Sequence, residues 1–193
     1  MARLQEFDSD EVLEAAMQLF WSKGYGNTSL DDLVRATRLS RSSLYNSFGS
    51  KHDLFLSAVD RYNETAQRRL VNRLESGIPV LRALKEMLTK IVEGAVSGRD
   101  KRGCLLCNTA NELAAQDRDA AIRVATGFRN VEDALFRAIR RDQRTGNIPA
   151  DRNARAIARF MVSSINGLRA VAKARPDRAY LTDVVKTILS VFD

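Results

Sequence analysis

The feature that most constrains this chain is the spacing of its apolar residues, which return every third or fourth position between turn signals. Val12, Ala15, Ala16, Leu19 and Phe20 do so after Asp8, and Leu54, Ala58, Tyr62, Ala66, Leu70 and Leu74 do so after His52. That period places each set on one face of an α-helix. With three prolines and ten glycines in 193 residues, and 45% of residues hydrophobic, the breaks are few and a substantial core is available. The expected fold class is all-α.

The first fifty residues are read from their capping chemistry. Asp8 opens a helix with Glu11 three residues on, and Gly24-Tyr25-Gly26-Asn27 ends it in a turn. Ser29 caps a short second helix, with Asp32 at its third position. Ser40 caps a third, closed by Gly49, in which Leu39, Leu44 and Phe48 are spaced to turn inward together. Arg41, Ser42, Ser43, Tyr45 and Asn46 are then left outward, and they are side chains suited to phosphates and base edges. Two short helices joined by a tight turn on a preceding amphipathic helix make a helix-turn-helix unit, whose second helix reads bases. The helix start near Arg41 favours a phosphate through its free amides, and Thr28 and Ser29 offer a second such start.

Charge supports this only locally. The chain carries a formal +7. Residues 1–50, however, hold five Lys/Arg against seven Asp/Glu, a net of −2. Between Leu33 and His52 there is no acid, while Arg35, Arg38, Arg41 and Lys51 fall there. Exposed charges more than about 10 Å apart are largely screened, so this local patch is what a phosphate would meet. Charge alone leaves a solvated face and a DNA-binding face equally open. No run of eighteen apolar residues exists and the N-terminus lacks the basic-then-apolar order of a signal peptide, so a cytoplasmic protein without a membrane partner is expected. Two cysteines in such a chain are expected as free thiols.

The order of residues says more. From Phe7 to Tyr62 the chain resembles the DNA-binding domain of the TetR family of transcriptional regulators, on Ala16, Phe20, Gly24-Tyr25, Thr28-Ser29, Asp32-Leu33, Ser40, Leu44-Tyr45, Phe48, Ser50-Lys51 and Leu54-Phe55. The resemblance implies a dimeric, all-helical repressor whose first three helices bind a near-palindromic double-stranded operator. By position it implies recognition-helix contacts at Arg41, Ser42, Ser43, Tyr45 and Asn46, and phosphate contacts at Tyr45 and Lys51. Where the family usually has Gly in the turn before the recognition helix, this chain has Arg38; a positive φ there costs a non-Gly residue about 1 kcal/mol or more. Arg38 is retained as a DNA-contact candidate.

After His52, the only histidine, one unbroken helix of about twenty-four residues and roughly 36 Å is expected, ending near Gly77. Pro79 opens the next helix, in which Met87 is one of the apolar stripe, and a polar loop runs from Gly98 to Gly103. Cys104 and Cys107 then fall three apart, on one face of a helix beginning near Gly103, after Lys101 and Arg102. A helix start and nearby cations lower a thiol pKa, which suits a reactive cysteine; a buried apolar role is the alternative, and a zinc site lacks further ligands. The Gly-Cys-Leu-Leu-x-Asn pattern that includes Asn108 resembles a sub-group of TetR-like regulators in which this helix adjoins the effector pocket. Some relatives with a cysteine matching Cys104 respond to electrophiles or oxidants.

Asp117 starts a helix whose expected buried stripe is Ile122, Ala125, Phe128, Val131, Leu135 and Ile139, with Arg137, Arg140, Arg141 and Arg144 as a solvated basic end. Asp151 to Lys173 and the segment after Pro176 are read as the two terminal helices, with apolar faces suited to a two-fold four-helix dimer interface. The expected division is residues 1–50 as the DNA-binding domain and 51–193 as the effector-binding and dimerisation domain. Met87, Cys104 and Phe128 are the expected pocket, with no cofactor, metal or catalytic residue. Two other readings are a small helical thiol-redox protein using Cys104 and Cys107, and a helical adaptor without DNA binding.

Overall fold

The computed structural model describes residues 8–99 and 101–193. Phe7, where the resemblance begins, and Asp100, in the expected polar loop, lie outside them. Among the described residues the order is α1 (Ser9–Lys23), α2 (Leu30–Thr37), α3 (Arg41–Phe48), α4 (Lys51–Tyr62), a π-helical turn (Asn63–Gln67), α5 (Arg68–Glu75), α6 (Val80–Val96), α7 (Leu105–Glu112), α8 (Arg118–Arg144), α9 (Ala154–Ala174), α10 (Arg178–Leu189) and a closing 3₁₀ turn (Ser190–Phe192).

Two cores hold these helices. The first gathers Val12, Ala16, Met17 and Phe20 of α1, Leu33 of α2, Leu44 of α3 and Leu54, Phe55, Ala58 and Val59 of α4. Phe20 meets Phe55 edge to face at 5.1 Å between ring centroids. Each such ring, fully buried, contributes roughly 1.5–3 kcal/mol relative to its exposed state. The same core continues into Cys104, Leu105 and Leu106 around the start of α7, and into Ala120 and Val124 of α8. The three N-terminal helices are therefore packed continuously onto α7 and α8. The second core, built on Leu84, Leu88, Leu135, Ile139, Ala158, Met161 and Leu181, joins α5, α6 and α8 to α10.

Four expectations change. The helix after His52 is not a single α-helix, because the π-helical turn at Asn63–Gln67 interrupts it. Gly127 of α8 faces that turn, and a Cβ on it would overlap Asn63 Oδ1 and Leu106 Cδ1. The buried stripe of α8 runs through Ala120, Val124, Gly127, Val131, Leu135 and Ile139, while Ile122 is 51% exposed and Ala125 is exposed. The helix after Gly103 starts at Leu105, so Cys104 is its N-cap residue and only Cys107 lies within it. The first terminal helix begins at Ala154, capped by the Asn153 side chain on Ala156 N–H, three residues later than expected.

The basic end of α8 also does more than face solvent. Arg141 donates to the carbonyls of Leu74 and Ile78, at 3.1 and 2.6 Å, and so satisfies backbone acceptors at the end of α5. Beside it the buried Asp142 accepts from Val80 N–H at 2.6 Å, which caps the start of α6.

Candidate nucleic-acid interface

The α2–turn–α3 unit is fixed by three side-chain caps. Ser29 accepts from Asp32 N–H while Asp32 accepts from Ser29 N–H, a complete capping box at α2. Ser40 accepts from Ser43 N–H at α3, and Ser50 with Asp53 forms a second capping box at α4. Arg38 takes the left-handed conformation between α2 and α3, with φ 59° and ψ 18°. Gly49 closes α3 with φ 80°, and a Cβ there would also press on Asp53 Oδ2. The local chain chemistry thus sets the angle between α2 and α3 before tertiary packing acts on it.

Only Leu44 of α3 is fully buried; Leu39 and Phe48 are partly buried beside it. Arg41, Ser42, Tyr45 and Asn46 are exposed along one outward face, with Tyr45 48% exposed. Ser43 is half-buried, its hydroxyl 2.9 Å from that of Ser40. Arg41 reaches back to Asp31 at 2.6 Å. Both partners are exposed, and such a pair contributes only about 0–1 kcal/mol, so a phosphate can replace the carboxylate at little cost. Lys51, at the first position of α4, holds its Nζ 4.3 Å above the Tyr25 ring. Ser29 and Arg38 are exposed beside this face. Thr28 is not: it is fully buried, its hydroxyl donates to the Gly24 carbonyl at 2.6 Å and its N–H to Tyr25. Thr28 closes the α1–α2 turn and presents no donor to a phosphate.

Polar contacts tie α1, the α1–α2 turn and α4, which carry this unit, to α7, α8 and the loop before α7. Glu112, the last residue of α7, accepts from the N–H groups of Tyr25 and Gly26 at 3.0 and 2.6 Å. His52 Nε2 lies 2.6 Å from Asp117 Oδ2, and Arg123 pairs with Asp60 at 2.9 Å. Trp21 Nε1 donates to the Gly103 carbonyl at 3.2 Å, and Arg102 donates to Gln18. Of these residues, Gly103 opens the Gly-Cys-Leu-Leu-x-Asn pattern and Asp117 is the helix start read from the sequence. His52, with no partner nearby in sequence, finds one sixty-five residues away at the α8 cap.

Below these ties is a cavity of about 470 Å³, with Trp21, Tyr62, Leu70, Met87, Ile91 and Arg169 among its walls. Met87 lies where expected. Phe128 instead lines a separate small cleft that shares Gln67, Leu70 and Arg169 with the cavity, and Asn108 lines another groove. Asn108 bonds the Arg102 carbonyl at 3.0 Å and Lys173 at 3.3 Å, so it braces the loop before α7. Cys104 is 2% exposed and accepts from the Tyr62 hydroxyl at 3.7 Å. Its thiol is drawn below the ordinary range, chiefly by a hydrogen bond from Cys107 against the opposing effect of burial, with Arg169 adding to the stabilisation. Cys107 is pushed up in turn, first by Cys104 and then by burial. The cation acting on the thiols is thus Arg169 of α9, rather than the neighbouring Lys101 or Arg102. Arg169 is one of three arginines in α9, and nothing in its spacing distinguishes it from Arg155 and Arg159, so sequence reading passes over it.

Comparison with known proteins bears on the same elements. Residues 12–58 match the model of bacterial regulatory proteins of the tetR family, and residues 77–188 match the tetracyclin repressor-like C-terminal domain. The chain is 33% identical to the HTH-type transcriptional regulator YezE of Bacillus subtilis, with 100% of each chain covered. It is 29% identical to the HTH-type transcriptional repressor ComR of Escherichia coli, over 98% of this chain and 91% of that one. Among solved structures it is similar to a cysteine-substituted CifR, a TetR family regulator complexed with 26-base-pair operator DNA, with TM-score 0.82, 28% identity and coverage of 99% of this chain and 100% of that one. No helix among the described residues is long and apolar enough to cross a membrane. The chain belongs to the tetR family of bacterial regulatory proteins and is a helix-turn-helix DNA-binding transcriptional regulator, not an enzyme.

Proposed function

We propose that the chain is a repressor that binds a near-palindromic operator as a homodimer and leaves it when the cavity beneath Trp21 is occupied. Residues 1–50 read DNA through Arg41, Ser42, Ser43, Tyr45 and Asn46, with Ser29, Arg38 and, at the start of α4, Lys51 at the backbone, and residues 51–193 dimerise and hold the effector. One observation carries this reading: Trp21 belongs to α1 of the DNA-reading unit and is also a wall of the cavity. An occupant that displaces the indole acts on α1 directly, and α7, braced on the same loop, ends at the Glu112 clasp. Dimerisation through the terminal helices is supported by a face of α9 on which Phe160, Ser163, Gly167 and Val171 are exposed together, with open space in front of Gly167. In a helix-turn-helix dimer the recognition helices must be about 34 Å apart, so a small tilt of α1 and α4 is enough to break the match.

Thiol modification is a second route to release, favoured by the lowered Cys104 thiol behind Tyr62. The test is to select bound sites from random DNA, then measure release by anisotropy with candidate metabolites or an oxidant. A molecule that fills the cavity and leaves operator affinity unchanged removes the first route, since a ligand shifts an equilibrium only by its differential affinity. A Cys104→Ser protein that still leaves DNA under oxidant removes the second.

A further inference from the structure

We propose that the cavity takes a single-headed organic anion with an apolar body, a monocarboxylate, held at its head by Arg169; this rests on the reading of the cavity as the effector site. Five cations line it, Arg69, Arg73, Lys90, Arg169 and Lys173, against one carboxylate, Glu86. Glu86 is already satisfied by Arg73 and by Arg82, the latter at 3.1 Å. The lining is therefore strongly positive after its own pairing is counted. A cationic ligand is repelled, and an anion is drawn in by the field of the rim.

The positions of these cations divide the work. Arg69, Arg73, Lys90 and Lys173 are exposed at the mouth, whereas Arg169 is half-buried and also borders the small cleft behind the cavity. Among the described residues Arg169 has no carboxylate partner and no side-chain hydrogen bond. A guanidinium held inside with no carboxylate of its own, facing the Cys104 and Cys107 thiols only through its field, keeps its planar fork of donors for a carboxylate. Two further polar groups lie among the buried walls, the Tyr62 hydroxyl, which is committed to Cys104, and the Gln67 side-chain amide, which is uncharged and can add one hydrogen bond to the head; Trp21, Leu70, Met87 and Ile91 supply apolar surface. The body of the ligand is therefore apolar, and the volume suits a small molecule.

Trp21 is the only tryptophan and reports on the cavity in the intact chain. Its fluorescence is titrated with octanoate, 1-octanol and octylammonium, which share one tail and differ in head charge. Octanoate is expected to saturate, with 1-octanol at least about tenfold weaker, the size of a hydrogen bond to a charged group, and octylammonium weaker still. Arg169→Gln is expected to bring octanoate down to the level of 1-octanol without moving 1-octanol, and Arg169→Lys to restore part of the preference. The inference is overturned by 1-octanol binding as tightly as octanoate, by no saturation with octanoate, or by Arg169→Gln keeping the preference. If Arg169→Gln fails to fold by far-ultraviolet helicity, the wild-type head-group series decides alone. Operator release is scored separately. Octanoate bound selectively while DNA stays bound supports the anion site and removes the release mechanism, and release by another agent without anion selectivity does the reverse.

Discussion

Gly26 N–H donates to Glu112 Oε1 at 2.6 Å, joining the α1–α2 turn of the DNA-reading unit to the last residue of α7. The same carboxylate takes Tyr25 N–H, so one side chain fixes two successive amides across eighty-six residues of sequence. Both amides lie near the surface, and water can replace the carboxylate in part. Glu112→Ala is therefore expected to cost only about 1 kcal/mol in urea unfolding, while amide exchange over residues 24–28 accelerates well beyond that of α1. Unchanged exchange in that turn would show the clasp to be dispensable.

Gly127 approaches the π-helical turn so closely that even a methyl group has no room. Asn63 Oδ1, one of the atoms it would strike, is buried without a hydrogen-bond partner, and Leu106 on the other side is fully buried. Gly127→Ala gains helix propensity inside α8 but must push both neighbours aside. The net expectation is a loss of about 1–3 kcal/mol, read as a melting temperature lower by several degrees. A variant that melts at or above wild type would mean that the turn relaxes freely.

The same turn shows where the sequence is legible and where it is not. Caps at Ser29, Ser40 and Ser50 act on backbone groups three residues away, so the helix-turn-helix unit can be read locally. The run Leu54, Ala58, Tyr62, Ala66, Leu70, Leu74 reads as one straight α-helix. Steps of four, however, advance about 40° too far each time at 3.6 residues per turn, and five of them walk roughly 200° around an unbroken helix. The turn at Asn63–Gln67 admits one extra residue and takes up about half of that drift, and it lies against Gly127, which sequence spacing does not connect to it. On α8 the buried face is carried early by Ala120 and Gly127, so counting large apolar residues selects Ile122, on the wrong side. The cavity is hardest to read, because Trp21, Met87 and Arg169 come from three helices far apart in sequence.

The Asp117 carboxylate is held below the ordinary carboxylate range, first by Ala120 N–H and then by His52. A group with a depressed folded pKa stabilises the native state fully above its unfolded value and loses that contribution as pH falls through the folded value. Asp117→Asn keeps an acceptor for the α8 cap and removes the charge. The stability difference between wild type and variant is expected to be constant above about pH 5 and to shrink as pH falls below about 4. Denaturant midpoints across that range measure it, and a difference that grows in acid would contradict the assignment.

Arg38 and Arg41 separate structural cost from DNA contact within one turn of chain. Arg38 sits at φ 59°, so Arg38→Gly relieves a left-handed conformation and is expected to stabilise the protein by up to about 1 kcal/mol, less what glycine gives to the unfolded chain. If its side chain also neutralises a phosphate, the slope of log affinity against log salt falls by about 1, and affinity drops alike for all sequences. Arg41→Ala removes a residue bonded only to the exposed Asp31, so stability is expected to hold within about 0.5 kcal/mol. Its operator affinity is expected to fall by about 1–3 kcal/mol, with the loss concentrated at particular base positions if it reads a base edge. Anisotropy titrations at several salt concentrations, on the selected operator and on scrambled DNA, distinguish the two arginines. Equal losses on both DNAs would make Arg41 a phosphate contact, and no loss on either would remove the outward face of α3 from the interface.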